Sequence, residues 1–149
     1  MTPHVPFRVL IAVALFCFCR VGVAQQSTNE QAVGITFHRF VFHKDYWSAE
    51  FAVSNRTSRS VWFMGYTYTN PIYSIQYMDN GQWSEDQMGW CGNGMERLEF
   101  STHASFALQV PVDSSGSNKT FRVGIACSSK KKYGEKTVTT YWSDKIAPR

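Results

Sequence analysis

Hydrophobic and polar residues alternate along most of this chain with a period of two, which is the period of a β-strand. In YWSAEFAVSN (46–55), every second residue from Trp47 to Val53 is apolar, and the residues between them are mostly polar or small. TFRVGIAC (120–127) repeats the pattern from Phe121 to Cys127. No 12-residue window carries a helical stripe of apolar residues. The pattern therefore predicts an all-β protein.

Short strands separated by turn residues account for nearly all of the chain after residue 33. The predicted strands are 34–44, 46–55, 61–67, 70–78, 82–90, 97–100, 105–112, 120–127 and 136–143. Lys44-Asp45 predicts a tight turn, and Asn80-Gly81 is the strongest short hairpin signal that a sequence offers. Eight or nine such strands predict an antiparallel two-sheet β-sandwich of immunoglobulin-like type. A β-barrel is the alternative, because spacing alone does not fix the strand order.

The first 24 residues have the layout of a cleaved secretory signal peptide. Arg8 precedes an apolar run from Val9 to Cys19, and small residues lead to a cleavage site after Ala24. The run is shorter than the roughly 20 residues of a membrane-spanning helix. Residues 25–32 are then a flexible lead, and 33–149 form a single β-sandwich domain. We expect a secreted or periplasmic protein without a membrane span in the mature chain; an uncleaved anchor is the alternative, because Arg20 lies unusually close to the cleavage site.

The charge of the mature chain gives no support for nucleic-acid binding. Of the 15 Lys and Arg residues, Arg8 and Arg20 lie in the leader, so 13 remain against 11 Asp and Glu. A nucleic-acid-binding protein needs a clustered basic face. The basic cluster at residues 130–132 is typical of a solvated hairpin loop, with a patch for anionic surfaces as the alternative.

Several segments of the mature chain resemble small secreted β-sandwich domains of uncharacterised bacterial proteins. They are FAVSNRTSRSVWFMGY, IYSIQYMDNGQW, GWCGNG, SFALQVPV and FRVGIAC, and the resemblance covers nearly the whole mature chain. The resemblance implies an immunoglobulin-like fold and an exported location. It implies no catalytic residues.

Two cysteines, Cys91 and Cys127, remain after the leader is removed. In an oxidising compartment such a pair most often forms a disulfide bond, so we predict a Cys91–Cys127 bridge. Free thiols are the alternative. A catalytic Cys91 would need an activating histidine such as His38, His43 or His103, and nothing in the sequence places one beside it.

Neither a metal site nor a cofactor site is predicted. His38 and His43 are five residues apart, an odd spacing that directs them to opposite faces of a strand. The zinc and calcium motifs and the phosphate-binding loops are missing from the sequence. Carboxylates near the 86–100 loop could form a glycosidase pair only if folding brought two of them together; they are Glu85, Asp86, Glu96 and Glu99. We therefore expect a protein that is not an enzyme.

Aromatic residues crowd residues 61–90 and occupy both faces of their strands, so some of their rings should lie on the outer surface. The candidate binding face consists of Trp62, Tyr66, Tyr68 and Trp83. We expect a non-catalytic secreted module that binds an unknown protein or a surface glycan; a carbohydrate-binding module that stacks sugars on this face is the alternative. Asn55-Arg56-Thr57 also fits the acceptor pattern for N-linked glycans, which matters only in a eukaryotic host.

Overall fold

The structure, a computed structural model, describes residues 31–85, 93–112, 119–132 and 137–147. The prediction of an all-β protein is confirmed over these ranges, which contain strands and no α-helix. The strands are β1 (Val33–Phe42), β2 (Trp47–Asn55), β3 (Val61–Thr67), β4 (Asn70–Pro71), β5 (Tyr73–Asp79), β6 (Gln82–Glu85), β7 (Glu96–Phe100), β8 (Ser105–Val112), β9 (Phe121–Ser128) and β10 (Val138–Trp142). Among the described residues, no helix is long and apolar enough to cross a membrane. The predicted signal peptide lies outside the described ranges.

The smaller sheet has three antiparallel strands in the order β1-β2-β8. Its register aligns Phe37 with Phe51 and Phe51 with Leu108, so the apolar residues of neighbouring strands share one face. The register of β1 shifts between Phe37 and Arg39, which leaves His38 in a bulge. The bulge keeps Phe40 on the inner face, where it pairs with Ala49.

Strand β9 is the centre of the larger sheet, which has seven strands among the described residues. One edge of β9 pairs with β10, from Gly124 to Ser128. Its other edge is shared, because β5 pairs with residues 121–125 and β3 pairs only with Cys127 and Ser128. Strand β3 then diverges to form a hairpin with β4, and β7 pairs with β3. Among the described residues none of these seven strands pairs with β1, β2 or β8, so the two sheets are separate and the barrel alternative is wrong.

Phenylalanine rings hold the two sheets together. Phe40 of β1 contacts Phe121 of β9 with ring centroids 6.3 Å apart, and Phe106 of β8 lies 5.9 Å from Phe63 of β3 and 5.2 Å from Phe100 of β7. Aliphatic side chains that are at least 95% buried fill the space between these rings, including Ile75, Leu108, Val110, Val123 and Ile125. Burial of each such side chain contributes about 1.5–3 kcal/mol to folding.

The predicted Asn80-Gly81 hairpin is confirmed between β5 and β6. Asp79 pairs with Gln82, and the two residues between them have positive φ values of 49° at Asn80 and 79° at Gly81. Both values are required by a two-residue turn whose twist matches that of the strands. The predicted turn at Lys44-Asp45 is also present, closed by a hydrogen bond from His43 N to Tyr46 O at 2.8 Å.

Candidate interaction surfaces

Two of the four residues in the predicted binding face, Trp62 and Tyr66, lie on the outer face of β3. They alternate with the buried residues Val61, Phe63 and Gly65, and they are partly exposed. Met64 lies between them on the same face. The adjacent strand β7 places Glu99 beside Trp62 and Arg97 beside Met64, so this apolar row has a charged border.

Tyr68 and Trp83 do not continue this row. Tyr68 lies in the turn between β3 and β4 and is 60% exposed. Trp83 is on β6, and its ring lies against the guanidinium group of Arg122, whereas Trp62 pairs with Ser128. Positions 122 and 128 are about 20 Å apart along β9, at roughly 3.3 Å per residue. Trp62, Tyr66 and Trp83 therefore share one sheet and Tyr68 lies in a turn beside it, but the four do not form a single continuous platform.

Arg122 is at the centre of a cluster that the sequence analysis did not identify. Its Cζ atom lies 4.3 Å from the centroid of the Trp83 ring and 4.6 Å from that of the Trp142 ring. Its Nε and Nη2 atoms donate hydrogen bonds to Oε1 of Gln76, at 2.9 and 2.7 Å. Strand pairing explains the cluster, because Gln76 is opposite Arg122 across the β5–β9 ladder and Trp142 is opposite Gly124 across the β9–β10 ladder.

Gly124 makes room for the Trp142 ring. A Cβ atom built at position 124 would lie 2.6 Å from Cε3 of Trp142 and 2.7 Å from its Cζ3. Contacts under 3 Å are not tolerated between carbon atoms, so a side chain at this position would displace the indole ring. A glycine in the middle of a strand marks a close approach, and here the approaching group is a tryptophan.

A second cluster missed from the sequence lies at the tip of the β1–β2 hairpin. Phe42 is 58% exposed and packs on Trp47 with ring centroids 4.6 Å apart. Tyr46 is 51% exposed and stacks on the His43 ring, also at 4.6 Å. Two of the three large hydrophobic residues that the structure describes as exposed therefore lie on one hairpin, and the third is Tyr68. The sequence pattern predicts a turn here, but it does not predict how exposed the aromatic side chains beside the turn are.

The predicted disulfide bond is only partly covered by the structure. Cys127 points into the core between the sheets and is 3% exposed, with a free thiol among the described residues. Burial raises the pKa of this thiol to about 12. Cys91 lies outside the described residues, so the Cys91–Cys127 bond stays a prediction.

The histidines and carboxylates that are candidates for chemistry do not converge within the described chain. His38 is exposed at the bulge of β1, and His103 lies in the turn before β8 with a φ of 57°. The ring Nε2 of His43 is 2.8 Å from Oγ of Ser48, a hydroxyl that is only 2% exposed and so is closed to a substrate. No group of three potential metal ligands occurs in the described ranges.

Glu96 and Glu99 are both exposed on β7, where they pair with Gly65 and Trp62. Their odd spacing directs them to opposite faces of the strand. Asp86 lies outside the described residues. A shallow open pocket of about 560 Å³ on the outer face of the smaller sheet is crossed by an ion pair, Arg39 Nε to Glu50 Oε2 at 2.8 Å.

Comparison with known proteins adds no assignment. No protein-family model matches the chain, and neither the curated proteins nor the solved structures contain a significant match. The resemblance to secreted bacterial β-sandwich domains stays a prediction.

Proposed function

We propose that this chain is a non-catalytic, secreted β-sandwich module that binds a protein partner on a surface through the tip of its β1–β2 hairpin. The observation that carries the proposal is the exposure of Phe42 and Tyr46 on the same turn, at 58% and 51%. Aromatic residues dominate the binding energy of protein interfaces when a partner buries them. Burying about 100 Å² more of each ring would contribute roughly 2.5 kcal/mol per ring.

The tip is also held in shape before it meets a partner. Trp47, which is opposite Phe42 on β2, packs against the Phe42 ring, and the His43 ring stacks on the Tyr46 ring. The backbone hydrogen bond from His43 N to Tyr46 O closes the turn. Preorganised rings lose little conformational entropy on binding, which favours affinity.

The immunoglobulin-like part of the proposal is supported by the strand pairing. In immunoglobulin-like sandwiches the first, second, fourth and fifth strands share one sheet, and the third, sixth and seventh share the other; among the described residues the smaller sheet has no counterpart of the fourth. The order β1-β2-β8 and the pairing of β9 with both β3 and β10 agree with that scheme. Export is supported by the layout of residues 1–24 in the sequence.

The test is binding of the fluorescently labelled 25–149 chain to the surface of cells of the organism that exports it. The double variant Phe42→Ser/Tyr46→Ser should weaken binding at least about 10-fold, because both anchor rings are lost. Tyr68→Ser is the matched control, since it removes an equally exposed ring from a different turn, and it should bind like the parent protein.

Two treatments of the cells separate a protein partner from a glycan. Surface protease should abolish binding, and periodate, which cleaves the vicinal diols of sugars, should leave it intact. Equal binding by the parent protein and the hairpin variant would contradict the proposal. Binding that survives protease and is lost after periodate would contradict it as well.

A further inference from the structure

Arg122 offers one free edge of its guanidinium group. The side of this group that carries Nε and one Nη2 hydrogen is occupied by Oε1 of Gln76. The remaining hydrogens include two parallel N–H groups, one each on Nη1 and Nη2, that point away from Cζ. These two have no acceptor within the described part of the chain. Such a fork matches the two oxygens of a carboxylate.

The guanidinium group is held in place by its surroundings. Trp83 and Trp142 lie at 4.3 and 4.6 Å from its Cζ atom, close enough for cation–π attraction. Gln76 fixes its rotation about the side-chain axis through two hydrogen bonds to one oxygen. An arginine that is already oriented loses less entropy when it forms further hydrogen bonds, so its fork is prepared for an anion.

We propose that Arg122, Trp83 and Trp142 bind the carboxylate of an acidic sugar, of the uronic-acid class. The free fork of Arg122 would take the carboxylate in a bidentate pair, which is stronger and more directional than a single hydrogen bond. The two indole rings beside Arg122 suit the rest of a sugar, because indole surfaces contact the C–H groups of sugars and indole N–H groups donate to their hydroxyls. This inference extends the carbohydrate-binding alternative and does not depend on the hairpin tip, with which it shares no residue.

The experiment is an NMR titration of the isotopically labelled 25–149 chain with trigalacturonate. The indole N–H signals of Trp83 and Trp142 and the Nε–H signal of Arg122 should shift together. The fully methyl-esterified trisaccharide is the matched probe, since it keeps the sugar and removes the charge; its dissociation constant should be at least about 10-fold higher. A glutamate peptide, acetyl-Ala-Glu-Ala-amide, presents the same carboxylate without a sugar and should also bind at least about 10-fold more weakly.

Two variants test the fork. Arg122→Lys keeps the positive charge but cannot form a bidentate pair. Gln76→Glu keeps the size of the side chain at position 76 and places a carboxylate against the occupied edge of Arg122, where it neutralises the guanidinium charge. Each should weaken trigalacturonate binding at least about 10-fold. Arg59→Lys, at an exposed arginine in the connection from β2 to β3, is the control and should bind like the parent protein. Thermal unfolding of each variant checks that the sandwich is intact.

Three outcomes would overturn the inference. Equal binding of the methyl ester would show that the carboxylate is not recognised. Equal or tighter binding of the glutamate peptide would assign the site to a protein carboxylate. If the three signals do not shift together up to the solubility limit of trigalacturonate, the cluster only stabilises the sheet. That result would leave the proposed binding to cells through Phe42 and Tyr46 unaffected.

Discussion

The side-chain amide of Asn55 donates a hydrogen bond to the main-chain oxygen of Phe100, 2.9 Å away, although the two residues are 45 positions apart. The same Nδ2 atom also donates to the oxygens of Arg59 and Ser101, at 2.9 and 3.1 Å. Its Oδ1 accepts from the main-chain N and the hydroxyl of Thr57. Asn55 is 1% exposed, so this one amide joins the end of β2 to two loops inside the protein.

Replacement of Asn55 should therefore destabilise the fold strongly. Asn55→Ala removes this donor from the buried oxygen of Phe100 and from the part-buried oxygens of Arg59 and Ser101, and we expect the free energy of unfolding to fall by about 2–4 kcal/mol. Urea denaturation followed by tryptophan fluorescence measures the change. Ser54→Ala, at the neighbouring and partly exposed position, is the control and should stay within about 0.5 kcal/mol of the parent. A similarly small effect of Asn55→Ala would contradict the proposed role of the amide.

The contact between Gly124 and Trp142 gives a second prediction. Gly124→Ala adds a methyl group that would lie 2.6 Å from the Trp142 ring, so the ring must leave its place over β9. We expect a loss of about 1–3 kcal/mol in the free energy of unfolding, as for other overpacked sites. A double-mutant cycle with Trp142→Ala tests the cause. In the Trp142→Ala background, Gly124→Ala should lower the free energy of unfolding much less than in the parent protein. An equal loss in both backgrounds would show that the clash is not with the indole.

Much of the fold could be predicted because alternation is a local property of the chain. The bounds predicted for β3 and β8, 61–67 and 105–112, agree with the structure to the residue. The Asn80-Gly81 turn was predictable for the same reason, since two adjacent residues determine it. The one strand predicted over 70–78 is two strands, β4 and β5, because β3 diverges from β9 and takes its own short partner.

The clusters proposed to bind ligands could not be predicted from the sequence, because they depend on which strands become neighbours. Nothing in the sequence near Arg122 indicates that Gln76, 46 positions away, will hold its guanidinium group. The pattern Asn55-Arg56-Thr57 suggested a glycan acceptor, yet the structure uses the Asn55 amide in its interior. Trp62 and Trp83 are only 21 positions apart in the sequence, but pairing through β9 and β6 separates them in the sheet.

The predicted Cys91–Cys127 bond has a test that separates a disulfide from burial. In the native protein Cys127 should resist alkylation at pH 8 in either case, because a disulfide offers no thiol and a free Cys127 thiol stays protonated, since burial raises its pKa to about 12. In denaturant without a reductant, intact mass should show no alkylated cysteine if the bond exists. Addition of the reductant should then give two. Two alkylated thiols in denaturant alone would contradict the bond, and a mass that does not start at Gln25 would contradict the predicted cleavage after Ala24.

Tyr73 predicts how stability depends on alkaline pH. Burial, followed by the nearby Tyr77, raises the pKa of Tyr73 from its ordinary 10.0 to about 12. Above pH 10 the unfolded chain releases this proton and the folded chain retains it, so the stability present below pH 10 should decline between pH 10 and 12. This rise in the pKa of Tyr73 corresponds to at most about 2–3 kcal/mol in the free energy of unfolding. Urea denaturation at several pH values should show a shallower decline for Tyr73→Phe, which keeps the ring and removes the proton. A residual slope is expected, because burial also raises the pKa of Tyr141. An identical slope in the parent and in Tyr73→Phe would contradict the assignment.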